Sequence, residues 1–122
     1  MARLTIAGRT AELVFDMASW EEMEERVGTL DEIDRIMSGK ERLRHYREVA
    51  EIFAAEGARL GRGEAMPADW LRDNLHPAQV RLVITAIKAA IGEGMKMETA
   101  RGEGEAFDPV LAELEKKGAQ DG

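Results

Sequence analysis

Cysteine is absent from this chain, which removes disulfides and thiolate metal centres from consideration. That absence is in keeping with a reducing compartment. Aromatic residues are few, with two Trp, three Phe and one Tyr, and proline occurs three times. Long apolar runs are lacking too. The most apolar segment, Val80 to Ile91, is interrupted by Arg81, Thr85 and Lys88 and is too short to span a bilayer. Met1-Ala-Arg-Leu-Thr-Ile lacks the apolar stretch of a signal peptide, so a cytoplasmic protein is expected. An excess of positive charge is likewise missing. The net charge is −7, and the arginines at 42, 44 and 47 are interleaved with Glu41 and Glu48. Duplex binding needs clustered Lys and Arg, and an acidic surface is repelled by anionic lipid, so neither nucleic acid nor membrane is an expected partner.

What is present suits one small domain of 122 residues, 44% hydrophobic and 34% charged, with seven Met. Methionine fills irregular cores and also forms adaptable contact surfaces. Leu4 and Ile6 alternate with polar neighbours, as do Leu13 and Phe15, and Gly8-Arg9 lies between the two runs. This pattern predicts a β-hairpin with Leu4, Ile6, Leu13 and Phe15 on one face. A lone hairpin is marginal in water, so helices or another subunit must complete it.

Helical spacing dominates the remainder. Ser19-Trp-Glu-Glu22 matches a capping box, with Asp16 an equally good N-cap for an earlier start. Trp20, Met23 and Val27 share a face, and Gly28 is suited to a left-handed stop. Thr29 to Glu32 repeats the capping pattern before a stripe of Leu30, Ile33, Ile36 and Met37. A third helix, from about Lys40 to Gly57, buries Leu43, Tyr46, Val49, Ala50 and Phe53 and turns Arg42, Arg47, Glu48 and Glu51 outward. Pro67 suits the start of a short helix carrying Trp70, Leu71 and Leu75, and His76-Pro77 separates it from the next. Val80, Val83, Ile84, Ile87 and Ile91 form the strongest apolar stripe. After Gly92-Glu-Gly94 periodicity fades.

The expected fold class is therefore α+β, mostly α: an N-terminal β-hairpin followed by a bundle of about four to five short helices and a flexible C-terminal tail. The expected division is a globular domain over 1–95 and a flexible acidic tail over 96–122. Within that tail a short helix is expected at 107–117, which would place Phe107, Val110, Leu111 and Leu114 on one side. Such an island either docks on a partner or packs back on its own domain.

Catalytic chemistry finds little support. His45 lies among charged residues without a partner for a dyad, and His76 before Pro77 is explained by capping. Asp73 and His76 could pair, but no nucleophile accompanies them. Glu21, Glu22, Glu24 and Glu25 flank a short apolar stripe and would be solvated, with ordinary acidity. Gly61-Arg-Gly63 lacks the rest of a phosphate loop. No His-x-x-x-His spacing and no carboxylate-rich metal motif is present. No enzyme, cofactor or metal is expected.

Leu4-Thr-Ile-Ala-Gly8, Ala11-Glu-Leu-Val-Phe-Asp16 and Met23-Glu-Glu-Arg-Val-Gly28, in that order, resemble the tail assembly chaperones of long-tailed bacteriophages and prophages. The resemblance extends loosely through Leu75-His-Pro to about Met95. It implies a non-catalytic protein of the bacterial host cytoplasm, absent from the mature virion. Such a protein binds the tape-measure protein, acts with tail-tube subunits during assembly, and is a candidate homo-oligomer. A frameshifted longer form near Lys116-Lys-Gly118 would also be in keeping with the family. Trp20, Met23, Phe107, Val110, Leu111 and Leu114 are the candidate protein-binding residues. Two alternatives are a structural tail or connector subunit and a small regulatory protein-binding domain.

Overall fold

The computed structural model describes residues 2–103. Strands β1 (Arg3–Ile6) and β2 (Arg9–Glu12) pair antiparallel, with Leu4 opposite Ala11 and Ile6 opposite Arg9. The turn is Ala7-Gly8, one residue earlier than the Gly8-Arg9 expected, and both residues have positive φ, 48° and 83°. Such turns match the right-handed twist of the flanking strands. Alternation then places Leu4, Ile6, Leu13 and Phe15 in the core, as the sequence pattern predicts, and Ala11 is buried with them.

Five helices follow, α1 (Met17–Arg26), α2 (Asp31–Ser38), α3 (Leu43–Arg59), α4 (Trp70–Asn74) and α5 (Val80–Glu103), of which α3 packs on β2 and α5 on β1. The protein is thus α+β and mostly α, an N-terminal hairpin followed by helices. Asp16 starts α1: its carboxylate accepts from the Ser19 amide at 3.0 Å, and the Ser19 hydroxyl accepts from the Asp16 amide at 2.9 Å. His76 caps the 3-10 turn Pro77–Gln79, its Nδ1 accepting from the Ala78 amide at 3.0 Å. Proline at the first position of that turn has no amide hydrogen to leave unpaired.

The central element is α3, which packs against α1, α4, α5 and β2. Phe53 is fully buried, and its ring lies 5.5 Å from that of Phe15, which in turn lies 5.1 Å from Trp20. Val83, Ala86, Ile87, Ala90 and Ile91 of α5 close the core from the other side.

Several sequence expectations need correction. Gly28 does not provide a left-handed stop for α1, whose C-cap Val27 is right-handed. A side chain at Gly28 would sit 2.9 Å from the Glu32 carboxylate, so glycine here makes room for an inward-turned acid. The left-handed stop falls instead at Gly39, after α2. Leu30, expected in an apolar stripe, is 61% exposed, while Glu32 is buried in the turn that follows. Leu43 is exposed at the first turn of α3, and Glu51, expected outward, is buried.

The glycines at 92 and 94 do not end α5, which runs on to Glu103, past the boundary drawn at residue 95. A Cβ at Gly94 would overlap the Phe15 carbonyl oxygen, so this glycine serves close approach rather than a break. The helix expected at 107–117, with Phe107, Val110, Leu111 and Leu114, lies outside the described residues.

Candidate protein-docking edge

The hairpin has two outer edges, and the sequence treats them differently. In an antiparallel ladder alternate residues point their amides and carbonyls to opposite sides. The Leu13 amide donates to the Ala2 carbonyl at 2.8 Å, which sets the phase: Leu4 and Ile6 bond to β2, and Arg3 and Thr5 face outward. On the opposite side, Thr10 of β2 is fully engaged. Its carbonyl accepts from the Glu64 amide at 2.9 Å, and its amide donates to the Glu64 carboxylate at 2.9 Å. Ala11 also bridges to Gly63. The β2 edge is therefore covered by the chain that follows α3.

That cover is pinned by close packing. A Cβ at Gly57 would overlap the Glu12 carbonyl oxygen. Arg9 donates to the Ala65 carbonyl at 3.1 Å and lies over the Trp70 ring at 5.2 Å, adding a cation–π contact.

No described residue hydrogen-bonds to the outward backbone groups of Arg3 and Thr5. Beside them runs a cleft of 410 Å³, lined by residues 2–5 on the strand side, Arg3 among them, and by Leu82, Thr85, Ala86 and Ala89 of α5. Leu82 projects at the rim, 54% exposed, on a helix that gives Val83, Ala86, Ile87, Ala90 and Ile91 to the core. An unpaired strand edge beside an apolar helix face can accept an added strand or a short amphipathic segment. A smaller apolar notch of 170 Å³ lies between Leu43, Leu71, Leu75, Pro77 and Val80. Leu82 and Leu43 are the exposed large apolar side chains that line these two depressions, while Met17, Leu30, Met37, Leu60 and Met95 are exposed elsewhere on the described surface.

The candidate contact residues named from sequence distribute otherwise. Met23 is 0% exposed and belongs to the core. Trp20 is half-buried against Phe15, and its buried indole nitrogen has no hydrogen-bond partner among the described residues. Neither residue lines the cleft. Phe107, Val110, Leu111 and Leu114 fall outside the described residues. Sequence reasoning missed Leu82 because it sits within the strongest apolar helix, one residue off the stripe. That offset, between Val80 and Val83 but out of phase with both, was the available signal.

The electrostatics of the acids is structural in character. Glu56 is held by hydrogen bonding to Arg59, at 2.8 and 2.6 Å, which brings its carboxyl down to about 2. Its neighbour Asp16 is raised from the ordinary carboxylate value, chiefly by burial and by the adjoining Glu56. Burial also raises Glu51, opposed by Arg47, whose guanidinium lies 3.5 Å away. Glu51 accepts from the Asp69 amide at 3.2 Å, which helps hold Asp69 in its left-handed conformation at φ 68°. Among the described residues, one group offers converging metal-ligand atoms: Glu32, Glu41 and His45.

No protein-family model, curated protein or solved structure matches this chain.

Proposed function

We propose that this protein is a tail assembly chaperone of a long-tailed phage or prophage, a non-catalytic partner of the tape-measure protein during tail-tube assembly. The observation that carries the proposal is the open β1 edge with Leu82 beside it. A tape-measure protein presents apolar helical stripes before the tube encloses them, and an edge flanked by an apolar cleft offers such segments a temporary seat. The net charge of −7 discourages the chaperone's own copies from crowding together at that seat. Among the described residues no helix is long and apolar enough to cross a membrane. Work in the host cytoplasm, and absence from the finished particle, belong to the same proposal.

The open edge also favours a second reading, a structural tail or connector subunit in which β1 pairs with a neighbouring copy. Co-expression with the tape-measure candidate encoded beside this gene separates the two. A soluble complex captured through this protein, and lost with a Leu82→Lys variant, supports the chaperone. Failure to bind, with self-assembly into rings or tubes, supports the structural subunit.

A further inference from the structure

The three groups that converge at one end of α3 come from separate segments. Glu32 lies on α2, Glu41 in the α2–α3 connection and His45 on the first turns of α3. Glu32 is buried, and the Glu41 side chain is only 6% exposed. His45 Nδ1 stands 3.3 Å from Glu32 Oε2 and 3.2 Å from Glu41 Oε1. A ring nitrogen carries at most one hydrogen, so it cannot donate a full bond to both acids. Both separations exceed the roughly 2.7–2.9 Å of a charge-assisted N–H···O bond. They do match the edge of a coordination tetrahedron: metal–ligand bonds of about 2.0–2.1 Å give ligand–ligand edges of about 3.3 Å.

Both carboxylates are also held by donors other than His45: Glu32, whose Oε2 faces His45, accepts from Arg35 at its other oxygen at 3.2 Å, and Glu41 Oε1, the oxygen that faces His45, also accepts from the Arg42 amide at 2.7 Å. These donors orient the carboxylates from outside, as second-sphere partners of metal ligands do. Glu41 Oε2 is buried and has no hydrogen-bond partner among the described residues. A buried carboxylate oxygen left unpaired is costly, and a cation is the partner that would satisfy it. The ligating atoms of all three residues lie within 4.8 Å of one another. Gly28 leaves room for the inward turn of Glu32.

We propose that Glu32, Glu41 and His45 bind one divalent first-row transition cation, with Zn²⁺ as the reference ion and a fourth position open to water. Two carboxylates balance the charge of the ion, and a neutral imidazole completes a nitrogen–oxygen set that suits Zn²⁺ better than Mg²⁺ or Ca²⁺. The bound ion ties α2 to α3. Arg35, 61% exposed, is free to swing aside if its charge opposes the ion.

The test is calorimetric titration of the metal-free full chain with Zn²⁺, paired with the visible absorption of the Co²⁺ form and with thermal melts. The expected result is saturable binding of one ion per chain, a tetrahedral Co²⁺ spectrum and a raised Tm. Glu41→Gln keeps the side-chain shape and His45→Gln removes the nitrogen; each should weaken binding more than about 100-fold, beyond the range of second-sphere changes. His76→Gln, at the other histidine, should bind as the parent does. Circular dichroism of the metal-free variants verifies that they fold. Absence of saturable binding would overturn the site. So would binding undiminished in folded Glu41→Gln, or binding lost only in His76→Gln.

Discussion

The two edges of the hairpin are only two strands apart, yet one is closed and the other open. The β2 edge meets the Glu64 amide and carboxylate and Gly63, all from the segment after α3, and its own Arg9 donates to the Ala65 carbonyl of that segment. The β1 edge meets a cleft and one exposed leucine. Closing a strand edge normally protects a protein from self-association. Leaving just one edge open, beside apolar side chains, concentrates the capacity for partner contact on a single side.

The largest effect is expected from removing the support common to both edges. Phe53→Ala takes a fully buried ring from between α3 and Phe15 and should cost about 3–5 kcal/mol in denaturant unfolding. Gly57→Ala acts on the closed edge alone, forcing a Cβ into the Glu12 carbonyl. A loss of about 1–3 kcal/mol is expected, with exchange of the Thr10 and Glu64 amides accelerated ahead of the rest.

Acid should also separate the two sides. Glu56 is depressed to about 2 when folded against an ordinary 4.5, so its contribution is full above about 4.5 and is lost as pH falls toward 2. Asp16, raised when folded, binds its proton more readily in the native state and offsets part of that loss. The α1–α3 contact near Asp16 should therefore loosen in acid before the β1–α5 contact, whose cleft has no acidic residue in its lining. Acid titration followed by residue-resolved NMR checks the order; simultaneous loss on both sides would contradict it. The smallest stability effect belongs to the open edge. Leu82→Lys should shift unfolding by no more than about 0.5 kcal/mol while removing partner capture in the co-expression assay.

Much of the fold could be read from period and punctuation. Leu4, Ile6, Leu13 and Phe15 alternate, and Val83, Ile87 and Ile91 recur at helical spacing, so the hairpin and α5 follow from local pattern. His76 and Asp16 cap where polar residues precede helices. Contacts between distant segments were less legible. Glu51 looks like a surface acid on its helix, but Arg26 and the Asp69 amide, from two other elements, give it reason to be buried. Gly94 looks like a helix terminator because the Phe15 backbone that it admits lies far away in sequence. His45 was expected to have no partner, yet Glu41, four residues before it, lies 3.2 Å away, and Glu32 joins them only when α2 folds back on α3. Leu82 and the open edge of β1 are brought together only by packing.

The central placement of α3 gives the molecule one clock. Helices α1, α4 and α5 and strand β2 all lean on this helix, whose Val49, Ala50 and Phe53 are fully buried. Its mid-helix amides should exchange with solvent deuterium only when the whole chain opens, and their rate then measures global stability directly. Any ligand that binds only the folded chain, a protein at the β1 edge or a cation between α2 and α3, would slow those same amides in proportion to its occupancy.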